Sequence, residues 1–449
     1  MHSHLAVRGR EREDADADPI CADAVTFASL PLPLARLIFL ALPVDARGRA
    51  SCVCRAWRDA LADPSLWSRL DMTVVSVARQ CFPSFLDGAA RRARGQLRLL
   101  DLSNQRVTPN VLLPVLTANA GSLRELHLHT LCSVGNAHFP AFQAVVAAAP
   151  LLQALTAEDV RCFWQEAPRM LRAEPPFAPL QVFGLTVNFW SDGVFGGMER
   201  VGPFAAALAD ASLQPALLRL RVRYSLTVGA VVDAALARRL RELSLEHCTA
   251  PAAAPLARLL AEGSLALFEI QTLSGDAPLF DVAGAALVAG ALRMNTTLTK
   301  LVLYCARLCV DARVAELLLE ALVGHPTLRE LKVSGEYIIA GNGSTVGAAL
   351  AALIAADAPA LQVLDCPCNR LGDVGLAPIV DALALNHHLR TLDVYLNFMS
   401  EAFARERLLP AVRANATLRK LTCFSPGTYS CGPSGREAEE LVRRRGQPD

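Results

Sequence analysis

The stretch LQVLDCPCNRLGDVGLAPIVDALALNHH, from Leu361 to His388, decides the fold. It opens with a Leu, two variable residues, a Leu, one variable residue and an apolar residue. In a strand, side chains alternate between faces, so positions 1, 4 and 6 of this line turn inward and positions 3, 5 and 7 outward. Asn369 stands nine positions in, as Asn397 does in the next unit and Asn188 in an earlier one. There the backbone has left strand geometry and needs partners, which an Asn side chain can supply. The later part, GDVGLAPIVDALALN, places Leu376, Ile379, Val380 and Leu383 on one helical face. One unit is therefore a strand, a turn and a helix.

The opening line recurs. It starts at Leu97, Leu123, Leu152, Leu180, Leu217, Leu240, Leu265, Leu298, Leu328, Leu361, Leu389 and Leu418, in steps of 23 to 37 residues. A single unit cannot bury its apolar strand face, whereas stacked units make one continuous core. The period predicts an α/β leucine-rich-repeat solenoid of about twelve turns over residues 97–424, curved, with parallel strands on the concave face and helices on the convex face. Several units resemble the ribonuclease-inhibitor type of leucine-rich repeat. Units from Leu152 through Leu265 are less regular, and the 37-residue step after Leu180 carries SDGVFGGM, read as a loop insertion.

Composition narrows the function. The chain has 449 residues, 53% of them hydrophobic, and a net charge of +1, so no global field favours nucleic acid or an anionic membrane. Its longest uncharged run, Phe139 to Ala157, is Ala-rich with two Pro and two Gln, a poor membrane span. The cations are almost all Arg, the three lysines being Lys300, Lys332 and Lys420. Thirteen cysteines without a disulfide rhythm fit a reducing compartment, cytoplasm or nucleus. The pairs Cys52/Cys54, Cys305/Cys309 and Cys366/Cys368 lack ligand partners at zinc spacing, so neither metal nor cofactor is expected. Sequons at Asn295, Asn342 and Asn415 are not read as glycosylated; NTTL and NATL sit at junctions feeding a strand. No Lys precedes Ser or Thr, and neither H-E-x-x-H nor G-x-S-x-G occurs, so no catalytic residue is assigned and no enzyme is expected. His127 and His129 share one strand face without a third ligand.

Ahead of the repeats the text changes. Residues 1–25 are polar, acidic on balance and aperiodic, which predicts a disordered tail. Residues 26–71 predict three helices: a short one with Leu34, Leu37, Ile38, Ala41 and Leu42 in a stripe, broken at Pro43; a second over Asp45–Ala62; and a last one carrying Leu66, Trp67 and Leu70. Residues 72–96 read as a connector whose Arg91, Arg92, Arg94 and Arg98 form a solvated basic helix end, and residues 425–449 as a cap on the last repeat or a disordered tail.

The order Leu30-Pro31, Ile38-Phe39, Val53-Cys54-Arg55, Trp57-Arg58, Asp63-Pro64 and Leu66-Trp67 resembles an F-box. Pro33 stands where that pattern has an acidic residue, and Arg47 where it has an apolar one. The resemblance implies docking on a Skp-type adaptor, and through it a cullin, by Leu30, Pro31, Leu34, Ile38, Phe39, Val53 and Trp57, with Trp57 also a candidate for the interior. A plain three-helix cap on the array is the simpler reading of the same residues.

The outward strand positions predict where a protein target would sit. Arg219, Arg221 and Arg223 occupy positions 3, 5 and 7 of one unit and meet Glu242, Ser244 and Glu246 of the next, leaving Arg221 without a carboxylate. Further on, Pro367, Tyr395 and Phe424 repeat at position 7, flanked by Asp365 and Asp393, with Lys332 one unit earlier and Tyr304 standing alone. F-box plus leucine-rich repeats implies a substrate receptor of a cullin–RING ubiquitin ligase. Two alternatives stay open: a regulator acting through the repeats alone, as in the Ran GTPase-activating family, and a scaffold with no ligase link.

Overall fold

The structure is a computed structural model. It describes residues 30–73, 75, 81–130, 139–160, 182–188, 190–191, 194–195, 201–210, 212, 217–223, 228–248, 252–272, 280–304, 311–334, 343–423 and 431–446. The tail 1–25, most of the SDGVFGGM insertion, Cys305, Cys309, Asn342 and Phe424 lie outside the described residues.

Helices α1 (Leu32–Ala41), α2 (Val44–Ala50) and α3 (Arg55–Ala60) lead the chain, followed by a 3-10 turn at Pro64–Trp67. Pro31 and Pro33 suit the entry of α1, where free N–H groups need no partner, and Pro43 closes it. The α1 stripe faces outward. Ala35 and Phe39, one turn apart, are the buried pair, and Phe39 meets Trp57 edge-on at 5.7 Å. α1 is apolar on nearly every side, so periodicity alone does not pick its buried face. The helix expected over Asp45–Ala62 is two helices. Between them Ser51 Oγ donates to Gly48 O at 2.7 Å, a local bond that competes with helix continuation, and Cys54 is extended. Leu70, expected in a third helix, lies instead in strand β1 (Arg69–Asp71).

Arg47 locks this unit. Its buried guanidinium donates to Phe39 O (2.9 Å), Leu42 O (3.0 Å), Leu40 O (2.9 Å) and Leu66 O (2.6 Å). Three of those carbonyls belong to the end of α1, where intrahelical donors have run out and the helix dipole is negative. Burial pushes its pKa below the usual arginine range. A cation is thus held in the interior of this unit by carbonyl oxygens.

From β1 the chain builds one parallel sheet of thirteen strands among the described residues. The strands are β1, β2 (Leu99–Arg106), β3 (Glu125–Thr130), β4 (Ala154–Val160), β5 (Val182–Asn188), β8 (Leu217–Arg223), β9 (Glu242–Cys248), β10 (Leu267–Thr272), β11 (Lys300–Tyr304), β12 (Glu330–Ser334), β13 (Val363–Asp365), β14 (Thr391–Asp393) and β15 (Lys420–Thr422). They pair in chain order, interrupted only by the small antiparallel hairpin β6 (Trp190–Ser191) and β7 (Val194–Phe195). A helix follows nearly every strand, as parallel crossovers require. The stretch expected as a connector holds one of them, α4 (Phe82–Arg92), so the sheet begins one strand ahead of the first leucine line.

The inward residues and the helices share one core. Leu240, Leu243 and Leu245 are buried, as are Leu361, Leu364 and Cys366, and Leu389, Leu392 and Val394; against them pack Leu376, Ile379, Val380 and Leu383 of the helix Gly372–Leu385. Cys366 and Cys423 act there as small apolar side chains.

Four corners from helix to strand, at Asn295, His325, Asn386 and Asn415, are wired by a buried side chain. Asn386 Oδ1 accepts from His388 N (3.0 Å) and Leu389 N (2.7 Å), while its Nδ2 donates to Ile354 O (2.8 Å) one turn earlier. Asn295 repeats this with Thr297 N, Leu298 N and Leu260 O, and Asn415 with Thr417 N, Leu418 N and Leu383 O. His325 Nδ1 substitutes at the corner between, accepting from Thr327 N and Leu328 N. The opposite corner, strand to helix, uses Asn369 and Asn397: Asn369 Nδ2 donates to Val333 O (2.8 Å), and Asn397 to Cys366 O (2.8 Å) and Val394 O (3.0 Å).

The last strand is covered by the helix Gly432–Gly446. Cys423 N donates to Glu439 Oε1 (2.6 Å), Ser434 Oγ to Glu401 Oε1 (2.6 Å), and Arg445 to Val412 O and Asn415 O. A covered edge cannot recruit another chain's strand.

Asn386→Ala strands two amide protons and a carbonyl in the core. Leaving buried polar groups unpaired costs about 2–4 kcal/mol, so thermal unfolding by circular dichroism is expected several degrees lower. A melt unchanged within a degree would show that the corner bonds are dispensable.

Candidate functional site

The face of the sheet opposite the helices carries the outward positions. Arg219 Nε lies 2.9 Å from Glu242 Oε1, and Arg223 Nε 2.7 Å from Glu246 Oε2. Arg221, expected to lack a carboxylate, reaches diagonally to Glu246 Oε1 at 3.0 Å. Reach explains the difference: diagonal neighbours across a strand pair lie within range of a long side chain. The ladder continues as Ser244 Oγ donates to Glu269 (3.0 Å), then as Lys300–Glu330 (3.1 Å), Lys332–Glu330 (3.3 Å) and Lys332–Asp365 (3.0 Å). Exposed pairs such as Arg219–Glu242 stabilise by at most about 1 kcal/mol. Glu246, buried between two guanidiniums, is the anchored member.

Equal positions face each other from β8 to β15, but not throughout. The register shifts between Phe183 and Gly184, so position 5 of β5 meets position 3 of β8. One row therefore runs Asp101, His127, Thr156, Gly184, Arg219 and Glu242. His127 Nδ1 lies 2.7 Å from Thr156 Oγ1. Gly184 leaves the row open; a Cβ there would press Thr156 Cγ2 at 3.0 Å. A groove of about 340 Å³ follows, lined by His127, Gly184, Arg219, Arg221, Glu269 and Lys300 among others. Among the described residues no group of His, Cys, Asp and Glu is arranged to hold a metal.

At the far end β13 and β14 stop at Asp365 and Asp393, so Pro367 and Tyr395 lie in turns beyond the strands, half-buried, rather than on the strand face. Pro367 has no N–H to continue the ladder, and Cys368 and Leu396 adopt positive φ. Cys368 N donates to Tyr395 O (2.9 Å), which holds the two turns side by side. Tyr304 ends β11, half-buried, with its hydroxyl pKa raised by burial. Asp365 and Asp393 are direct cross-strand partners. Lys332 takes Asp365 Oδ2, leaving the buried Asp365 Oδ1 without a partner. Burial, then the charge of Asp365, lifts Asp393 to about 6. A proton on Asp393 would supply the bond that Asp365 Oδ1 lacks.

The N-terminal unit presents a different surface. Leu34, Ile38 and Val53 are 49%, 44% and 65% exposed, Pro31 is exposed and Leu30 half-buried. Phe39 is core, so it belongs to the interior; Trp57 packs edge-on against it and is half-buried, keeping part of its surface outside. Leu37 (62% exposed) and Leu40 (47%) extend the outer face instead. The i, i+3, i+4 stripe already contained Leu37; only the sense of the helix was open. No carboxylate or lysine interrupts α1.

Residues 27–73 match the F-box-like family. No curated protein matches the chain. Among solved structures, the chain is similar to one described as the crystal structure of the Rad7 and Elc1 complex in yeast, with TM-score 0.44 and 12% identity over 77% of this chain and 91% of that one. It is also similar to leiomodin-1 actin-binding site 2, with TM-score 0.24 and 16% identity over 43% of this chain and 87% of that one.

The carboxylate pair gives a pH signature. Because the folded pKa of Asp393 is raised, its contribution favours the fold at low pH and is lost as pH rises from the ordinary carboxylate value through about 6. Asp393→Asn removes that loss. The variant is expected to melt higher than the wild type at pH 7.5, with the gap closing towards about pH 4. A constant gap, or none, would refute the shared proton.

Proposed function

We propose that this protein is the substrate-recognition subunit of an SCF-type cullin–RING ubiquitin ligase, working in the cytoplasm or nucleus. The observation that carries the reading is the apolar outer face of α1 inside the F-box-like region: Leu34, Leu37, Ile38 and Leu40 are large, exposed and fall within two turns of one helix, and Val53 is exposed as well. Scattered apolar residues need no explanation, but a contiguous patch of this size marks a docking surface. A Skp-type adaptor is the partner that an F-box-like unit calls for, and it would link the chain to a cullin. Pro31 and Leu30 would flank the contact; Phe39 and Trp57 would hold α1 in place from within, and Arg47 would fix its end.

The repeating strand–helix array serves as a leucine-rich-repeat solenoid. Its open face, from Arg219, Arg221 and Arg223 across Tyr304 and Asp365 to Asp393, with Pro367 and Tyr395 at the rim, would hold the protein target; Phe424, expected beside them, lies outside the described residues. The chain performs no chemistry of its own in this reading and needs no cofactor; it brings a target within reach of the ligase.

Leu37→Asp/Ile38→Asp changes two exposed side chains, so folding by circular dichroism is expected to stay intact while co-purification of the adaptor is lost. Retention of the adaptor by that variant, or failure of the intact protein to retain it, would end the ligase reading. Phe39→Ala separates the roles. Emptying a buried aromatic site costs about 3–5 kcal/mol, so this variant is expected to unfold the N-terminal unit, whereas a well-folded Phe39→Ala protein that loses only the adaptor would move Phe39 back to the surface.

A further inference from the structure

Outside both surfaces, four arginines converge. Arg58 at the end of α3 and Arg91, Arg92 and Arg94 at and just beyond the end of α4 line a cleft of about 270 Å³, floored by Leu61 and Ala62 and edged by Ser51. Among the described residues no carboxylate lines it. Arg91 is held by Asp87, 2.7 Å away and one turn back on α4. Arg92 lies flat over the Trp67 ring at 5.0 Å, and Arg58 Nε donates to Ser51 O at 3.4 Å. All four side chains are exposed.

On the sheet face and at Arg47 the guanidiniums are taken up by carboxylates or carbonyls. Here four guanidiniums share one notch and, among the described residues, only Arg91 has a carboxylate partner, so the local potential is positive and favours an anion. Backbone geometry fixes where Arg94 leaves the helix. Arg94 has φ +48°, a left-handed conformation that costs a side-chain-bearing residue about 1 kcal/mol, and Gly95 follows at φ +74°. A left-handed residue is a common way for a helix to end, and here it sets Arg94 just past the last turn of α4.

We propose that this cleft is a binding site for a compact polyphosphorylated small molecule. Guanidinium forks match phosphate oxygens in pairs. The cleft is a notch between two helix ends, of a size for a few phosphate groups rather than for a flat protein surface. The site stands beside the N-terminal unit and is independent of the ligase reading.

Calorimetric titration of pyrophosphate into the full-length protein tests it. Saturable binding at one site per chain is expected, weakening as salt rises. Arg58→Gln is expected to weaken it about tenfold and Arg58→Gln/Arg94→Gly further still. Arg94→Gly relieves the backbone, so its melting temperature is expected to be no lower than wild type, and Arg58→Gln alone changes one exposed side chain. Arg405→Gln/Arg413→Gln, which alters exposed arginines elsewhere, is expected to bind as wild type does. Absent saturation, equal affinity of the Arg58 and Arg94 variants, equal affinity for sulfate, or tighter binding of a phosphoserine peptide would each overturn the proposal.

Discussion

A chain that turns a helix into a strand a dozen times in one core creates a recurring problem: backbone groups leave one regular pattern before entering the next, out of reach of water. Asn295, Asn386 and Asn415 answer it with a side chain that accepts two amide protons of its own corner and donates to the preceding turn. Each such residue therefore does local and long-range work at once. Arginine answers the same problem at helix ends. Arg47 closes α1, Arg238 reaches Leu208 O, Ala207 O and Asp210 O at the end of the helix Val201–Ala209, and Arg445 reaches Val412 O and Asn415 O. Buried cations are tolerated here because aligned carbonyls supply both hydrogen bonds and a negative dipole end.

The two surfaces follow opposite rules. The α1 face is apolar, and contact with a partner would release water from it. The sheet face is polar and rich in charge, with ion pairs from Arg219 to Asp365 already formed in the free protein. A target must exchange those pairs for its own, so mismatched charge is penalised and selectivity is favoured over raw affinity. Glu246 illustrates the point: with both oxygens engaged by Arg221 and Arg223, it sets the positions of the guanidiniums that a target would meet.

Much of this was legible in the sequence. The leucine line marks the inward positions because strand alternation is rigid, and residues such as Leu243, Leu364 and Leu392 obey it. The pairing of Arg219 with Glu242 and of Arg223 with Glu246 follows from counting. What counting does not reach has identifiable causes. A shift of register at Gly184 is a backbone event with no side-chain signature. The diagonal reach of Arg221 depends on rotamer, and the turns at Pro367 and Tyr395 on where a strand stops. The sense of α1 is hidden because both of its faces are apolar, and β1 is three residues long, too short to show a period. Arg47 reads as a misfit in a linear pattern and becomes intelligible only when four carbonyls from two segments are placed around it.

The scarcity of lysine takes on meaning once the strands are in place. Lys300, Lys332 and Lys420 are all the lysines in the chain, and all three lie on outward positions of the same sheet face, in β11, β12 and β15. Every side-chain amine of the protein is thus on one side of it. Any chemistry that acylates lysine, whether a laboratory coupling reagent or an enzyme joining another chain, must approach from that side. A ligand resting there would act as a lid over the lysine amines, and a free molecule would be the vulnerable one.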